Sequence, residues 1–423
     1  MTMLQLTAFE TYTDQLKDLS GFNEEFDDMS FKHSLSALRE YGLPYPKHEE
    51  WKYFPLIQLL KKEYIPASKG KSVYQIQSFQ PYVKDALHVL MVNGIPLNLE
   101  SVQDIKGLEI GVRKKDKQVS DDPKLNPFPH LNRVMSHEEL FIRFNSEYTH
   151  PHPLHIIHVA DGNPEDSLLI SPSIDVYIEE NVKASILETF HTNNVSEVLI
   201  NTSVLVETEA YSELHHIIVE SSLGNGVLIY NCHSNVRANA IVQDHVIVYD
   251  SNAVRNTITG SLAEEYATYN IYGVVSGDKN SITDNHTVVD HIAPNCESNE
   301  LFKHVLSDTA TAVFNGKIFV RRDAQKTNAY QSNRTLLLSP TSTINTKPQL
   351  EIFADDVKCS HGATTGSVDE EALYYLRARG ISKQAAMSLL TEAFIGEVIQ
   401  HINYDPLRSY FENSSLLGSG NKS

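Results

Sequence analysis

Between residues 151 and 365 apolar and polar positions alternate in short runs. Leu154-His-Ile-Ile-His-Val159, Ile174-Asp-Val-Tyr-Ile178, Val182-Lys-Ala-Ser-Ile-Leu-Glu-Thr-Phe190 and Glu197-Val-Leu-Ile-Asn-Thr-Ser-Val-Leu-Val206 open the series. Stretches 226–230, 240–242, 245–249 and 317–320 continue it. A period of two over four to eight residues predicts strands. The flanks follow a helical period instead. Phe31, Leu35 and Leu38 recur at helical spacing, Gly42 suits the left-handed position after a helix, and Leu43-Pro44-Tyr45-Pro46 forces an extended exit. Residues 1–85 therefore form an N-terminal helical region and 86–150 a transition segment leading into the β core. After residue 366, Ser367-Val-Asp-Glu370 fits a capping box, and its helix runs through Arg379 to stop at Gly380. A second helix starts at Ser382 with Ala386, Leu389, Leu390, Ala393, Phe394 and Ile402 on one stripe. This unit spans 366–410, and 411–423 form a flexible tail.

Two architectures accommodate so many short strands. A sandwich joins antiparallel strands by tight hairpins, and Asn225-Gly226 and Asn315-Gly316 fit such turns while most junctions do not. A solenoid stacks parallel strands coil on coil, and the isolated Asn, Ser and Thr between runs favour it. Alternation alone leaves both open.

Hydrophobic residues make up 41% and charged residues 21%, so a large core is available and wholesale disorder is excluded. The balance of 35 Lys and Arg against 54 Asp and Glu, a net −19, repels phosphate backbones and anionic lipid. Neither nucleic acid nor membrane is an expected partner. Cys232, Cys296 and Cys359 are far apart, which is no disulfide framework and points to a reducing compartment. The N-terminus lacks the basic and apolar regions of a signal peptide, and no window approaches the roughly 18 apolar residues of a membrane span. A cytoplasmic protein is the expectation.

Most chemical motifs are missing. Gly70-Lys71-Ser72 lacks the upstream glycine of a phosphate-binding loop, position 65 being isoleucine. His152, His155 and His158 alternate faces on a strand and so read as surface or turn residues, and His215-His216 diverge for the same reason. Asp355-Asp356 could flank a glycosidic bond only if a bulge intervened, so a polar turn is the simpler reading. Cys359-Ser360-His361 differs: residues i and i+2 share a strand face, placing a thiol beside an imidazole. That is either a buried cysteine beside a hydrogen-bonded histidine, or half a site for iron or zinc whose remaining ligands come from another chain.

The run Lys347-Pro-Gln-Leu-Glu-Ile-Phe-Ala-Asp-Asp-Val-Lys-Cys-Ser-His-Gly-Ala-Thr364 resembles the SufB/SufD family of iron–sulfur cluster assembly proteins. Asn328-Ala-Tyr-Gln-Ser-Asn-Arg334, Tyr374-Tyr-Leu-Arg-Ala-Arg-Gly-Ile381 and Glu50-Trp51-Lys52-Tyr53 agree. The likeness is strong over about 320–400 and weaker elsewhere. It is to the SufD branch, since the SufB branch carries a Glu-His-Glu-Ala-Thr type sequence at the Cys-Ser-His run. The resemblance implies a mainly β fold, a right-handed parallel β-helix core flanked by N-terminal and C-terminal α-helical regions. It implies a scaffold with no catalytic residue of its own in a SufB–SufC–SufD complex, SufC being an ABC ATPase. SufB would pair through the last β-helix strands, sulfur would come from a cysteine desulfurase system, and reduced flavin could serve the complex. His361 matches the family histidine facing a SufB cysteine, and Cys359 matches its neighbour. The two would touch a transient iron–sulfur cluster whose other ligands SufB supplies. Tyr374, Arg377, Arg379, Leu389, Leu390 and Phe394 fall in the SufC-docking unit. Homodimerisation through the same strands is a further expectation. Two other readings stand beside this one: a purely structural partner with every cluster ligand on SufB, and a carbohydrate-active β-helix enzyme.

Overall fold

A chain that coils must turn repeatedly without breaking its sheets, and here single left-handed residues do the turning. Asn181, Tyr211, Asn239, Tyr266, Asn295 and Lys326 all have φ near +60°. They stack in one column at one corner. The N–H of Asn181 donates to Ala210 O, that of Tyr211 to Ala238 O and that of Asn239 to Glu265 O, so each turn is tied to the next. Asn194, Ser222, Asp250, Lys279 and Asp308 repeat the device at a second corner. Asn and Asp tolerate this conformation; Tyr and Lys hold it because the coils above and below over-determine it.

The computed structural model describes residues 29–44, 48–56, 64–67 and 82–413, positions 116, 120, 137, 164 and 196 excepted. Helix α1 (Met29–Tyr41) precedes strands β1 (Ile65–Pro66), β2 (Leu87–Val92), β3 (Ile95–Pro96) and β4 (Leu108–Lys114). Helix α2 (Phe128–Met135) leads to β5 (Glu138–Phe144), β6 (Leu154–Asp161), β7 (Ser167–Ile170), β8 (Ser173–Ile178), β9 (Lys183–Asn193) and β10 (Glu197–Thr208). Then come β11 (Glu213–Glu220), β12 (Gly224–Val236), β13 (Ile241–Tyr249), β14 (Ser251–Leu262), β15 (Thr268–Gly277) and β16 (Ile282–His291). The last strands are β17 (Glu297–Leu306), β18 (Thr311–Val320), β19 (Asn328–Leu337), β20 (Thr343–Ile352) and β21 (Lys358–Gly366). Helices α3 (Glu370–Ala378), α4 (Lys383–Ile399) and α5 (Asp405–Asn413) follow.

From β8 onward the strands alternate between two sheets, ordered β8-β10-β12-β14-β16-β18-β20 and β9-β11-β13-β15-β17-β19-β21. Lys183 pairs in parallel with Glu213, Glu213 with Ile241 and Ile241 with Thr268. Each coil thus takes about 30 residues, inside the range of solenoid repeats, and the core is a parallel β-solenoid of about seven turns. Asn225-Gly226 and Asn315-Gly316 are no hairpins; they lie within β12 and β18.

One apolar cluster fills the interior along the whole solenoid, from Val89 and Ile156 to Ile318 and Ala329. On the outer face of the β9–β21 sheet, Ile395, Val398, Ile399, Leu407 and Phe411 pack against Ile217, Ile247, Tyr272 and Leu301. On the other sheet, Phe31, Leu38, Trp51 and Phe128 cover Leu199, Val227, Ile229 and Ala253. The Arg255 guanidinium stacks 3.6 Å from the Trp51 ring. Asn315 donates to Glu50 at 2.9 Å, and Lys347 pairs with Glu49. The Glu49-Glu50-Trp51 segment is thereby clasped across four strands.

Several expectations need correcting. The stretch 86–150 is not merely transitional: β2 pairs with β6, and β5 with β8, so both extend the solenoid sheets. The N-cap of α3 is Asp369, not Ser367; its carboxylate accepts from the amides of Glu371 and Ala372. Two capping residues compete within three positions, and the one two residues closer to the apolar run wins. In α4 the buried face is Ala386, Thr391, Ile395, Val398 and Ile399, while Leu389 and Ala393 are exposed. Residues 411–413 are not tail but the end of α5, with Phe411 buried; residues 414–423 lie outside the described residues, as does Ser68–Ser72. Asp369→Ala is expected to cost α3 about 1 kcal/mol, seen as faster amide exchange at Glu371 and Ala372. Ser367→Ala should leave those amides unchanged.

Candidate functional site

The two ends of the solenoid differ. At the N-terminal end the sheets finish in β3 and β4, each antiparallel to its one neighbour. At the other end β20 and β21 are last in their sheets, and among the described residues no strand pairs with their outer edges. Such edges expose rows of unmatched N–H and C=O groups and call for a partner. β20 carries Pro348, tolerated only on an edge; it ends in the exposed Ile352 and is followed by the exposed Phe353.

Cys359 and His361 lie on β21. Cys359 pairs in register with Ala329, and His361 with Gln331. Ala329 and Gln331 both face the interior, so both β21 side chains belong to the interior lane at its open end. The sharing of one face expected from i, i+2 spacing is what the register gives. Cys359 is half-buried against the core cluster, and burial pushes its thiol above the usual range despite a backbone bond near Ala329. His361 is exposed. Among the described residues no group of three or more His, Cys, Asp or Glu is placed to hold a metal ion. The doublet therefore offers one soft and one borderline ligand on an open surface, two short of a closed site.

The other cysteines are enclosed. Burial raises Cys232 and Cys296 each to about 11, and the thiol of Cys296 donates to Glu264 O at 3.2 Å. Of the histidine triplet, His152 is half-exposed in the bend before β6, as expected, whereas His155 and His158 are buried on opposite faces, bonded to Thr189 at 2.9 Å and Glu188 at 2.7 Å. His216 faces inward to Glu188, whereas His215 bonds Glu213 outside. Asp355 and Asp356 are exposed in the bend between β20 and β21.

The C-terminal set divides in two. Helix α3 buries none of its residues, and Tyr374 is 76% exposed. Arg377, Arg379 and Leu389 are also exposed, and Leu390 is half-buried. Tyr375, which the sequence reading passed over although it doubles Tyr374, is exposed beneath Arg379, 4.3 Å from its ring. Phe394 instead packs on the outer sheet cluster under the Lys303 ammonium at 4.7 Å. It anchors α4 rather than facing outward. Among the described residues no helix is long and apolar enough to cross a membrane.

Comparison with known proteins finds a matching family and several relatives. Residues 160–394 match the family described as SUF system FeS cluster assembly, SufBD core domain. The chain is similar to the iron–sulfur cluster assembly protein SufD of Escherichia coli K12, 28% identical over 379 residues, covering 88% of this chain and 89% of that protein. It is 26% identical over 400 residues to an iron–sulfur cluster assembly SufBD family protein of Synechocystis, covering 87% and 85%. A 127-residue stretch is 42% identical to the chloroplastic protein ABCI7 of Arabidopsis thaliana, 30% of this chain and 26% of that one.

Proposed function

This chain belongs to the SufBD core family of the SUF iron–sulfur cluster assembly system, and from that premise we propose that it is a scaffold subunit of a SufB–SufC–SufD complex. In this reading it is not itself an enzyme, and ATP hydrolysis belongs to SufC. The observation that carries the reading is the C-terminal end of the solenoid, where two long parallel strands present unpaired outer edges beside Cys359 and His361, whereas the other end finishes in antiparallel strands. A SufB solenoid end would continue both sheets, satisfy the edge amides and complete the half-site with its own ligands. A nascent cluster would be held there as cargo. The outward surface of α3 and α4, carrying Tyr374, Arg377, Arg379, Leu389 and Leu390, would receive SufC. Its exposed aromatic and aliphatic area is what a docking surface requires.

The test is a His361→Ala variant in the complex copurified with SufB and SufC. Cluster assembly under anaerobic conditions is expected to fall about a hundredfold, about 2.7 kcal/mol, with subunit stoichiometry intact. Wild-type assembly by that variant would leave all ligands on SufB and reduce this chain to a spacer. Recovery of the chain only as a homodimer would remove the heterodimeric seam altogether.

A further inference from the structure

Directly beneath His361 in the interior lane lies a buried amide whose carbonyl has nothing to bond. Gln331 is 2% exposed; its amide meets the Glu300 carboxyl of the coil below, and its Oε1 has no hydrogen-bond partner. An unsatisfied buried polar group costs about 1–3 kcal/mol each, and Ala329, two residues away on the same face, shows that small apolar residues are accommodated here. The next coil down places Glu300 in register with Gln331. Glu300 is fully buried; its Oε2 accepts from Thr287 Oγ1 at 2.5 Å, and its carboxyl also meets the Gln331 amide. On the facing sheet, Gly316 leaves the space the amide occupies: a Cβ there would run into Gln331 Nε2 and Cδ. Glu300, Gln331 and His361 thus form a file on successive strands, which lie about 4.8 Å apart, and the file ends at the open surface.

We propose that Gln331 is a positioning residue for His361, its amide carbonyl accepting the imidazole N–H that faces the core, so that the other ring nitrogen presents its lone pair outward to iron. Glu300, held by Thr287, accepts from the Gln331 amide nitrogen and fixes which end of the amide faces His361. Metal-binding histidines generally donate their second N–H to such a carbonyl or carboxylate. This inference rests on the reading of His361 as a ligand and deepens it. It explains why an amide with a spare carbonyl sits one layer below an exposed imidazole, where an aliphatic side chain would pack at no polar cost.

The test uses the copurified complex and Co²⁺ alone as probe, read by the visible absorption of the bound ion. Gln331→Leu is expected to weaken Co²⁺ binding about tenfold, within the range for such supporting residues, and to shift the cobalt bands. Gln331→Glu, which keeps an acceptor oxygen, should restore both. Gly316→Ala, which displaces the amide without removing it, should fall between. His361→Ala is the reference. If it weakens Co²⁺ binding while Gln331→Leu leaves affinity and spectrum unchanged, the positioning role is wrong and the ligand role survives. If His361→Ala itself changes nothing, the ligand reading falls and this inference with it.

Discussion

Glu188→Ala is expected to lower the free energy of unfolding by about 3–5 kcal/mol, the usual cost of breaking a buried ion pair. Glu188 sits inside the solenoid, 1% exposed, and accepts from His158 Nε2 at 2.7 Å, His216 Nε2 at 2.8 Å and Tyr230 OH at 2.5 Å. Beyond His216 the chain continues to Asp244 at 3.3 Å, which accepts from Tyr269 at 2.5 Å. Burial alone would raise the Glu188 carboxyl, but the bonds from His158 and His216 hold it well below the usual carboxylate range. Burial likewise opposes the charged form of His216, yet Asp244, Cys232 and Glu188 together raise it well above an ordinary histidine. The pair is therefore ionised in a dry interior. Removing the carboxylate strands a cation, a second imidazole and a phenol at once. Glu188→Gln should cost less, about 1–3 kcal/mol, because an amide still satisfies part of the set. Denaturation midpoints in urea check both, and an alanine variant within about 1 kcal/mol of wild type would mean that the network is not formed.

That network was invisible in the sequence, and the reason is physical. His158, Glu188 and His216 each occupy a polar position in an alternating run, which reads as a solvent face or a turn. Only stacking of coils about 30 residues apart brings them into one lane, and a single strand's pattern carries no record of that stacking. Cys359 and His361 were legible because their relation is local: i and i+2 on one strand. Their position at an open end was not, since it depends on where pairing stops. Gln331 lay within Asn328-Ala-Tyr-Gln-Ser-Asn-Arg334, two residues from Ala329, but its burial appears only with the register. Helix α5 did leave a local signal that went unused: Pro406 in the first turn after Asp405, with Leu407 and Phe411 four apart. The strand runs themselves were readable because one face of each strand fills the solenoid interior, which keeps alternate positions apolar.

The pH dependence of stability is expected to have two opposed limbs, with Glu220 making the larger contribution to the alkaline one, beside Glu300, which burial raises to about 7. Glu220 is fully buried; Asn256 Nδ2 donates to it at 2.8 Å, and burial pushes its carboxyl up to about 8 despite that bond. Its folded value lies above the ordinary 4.5, so its contribution is complete below 4.5 and is lost as pH rises through 8. By pH 8 the loss is about 4 kcal/mol. Glu220→Gln keeps an acceptor for Asn256 and removes the ionisation. It should match wild type near pH 4.5 and exceed it by about 4 kcal/mol at pH 8. The acid limb has the opposite sign. Burial lowers His245 to about 3 and His304 to about 4, below the ordinary 6.5. Their contribution is complete above 6.5 and is lost as pH falls toward those values, about 2 kcal/mol for each at pH 5. Wild type should therefore be most stable between the two limbs, and Glu220→Gln should move that optimum upward without touching the acid limb. Denaturation midpoints measured from pH 4.5 to 8 decide it: an offset between the two proteins that is constant across the range would show that the Glu220 carboxyl does not titrate in the folded chain.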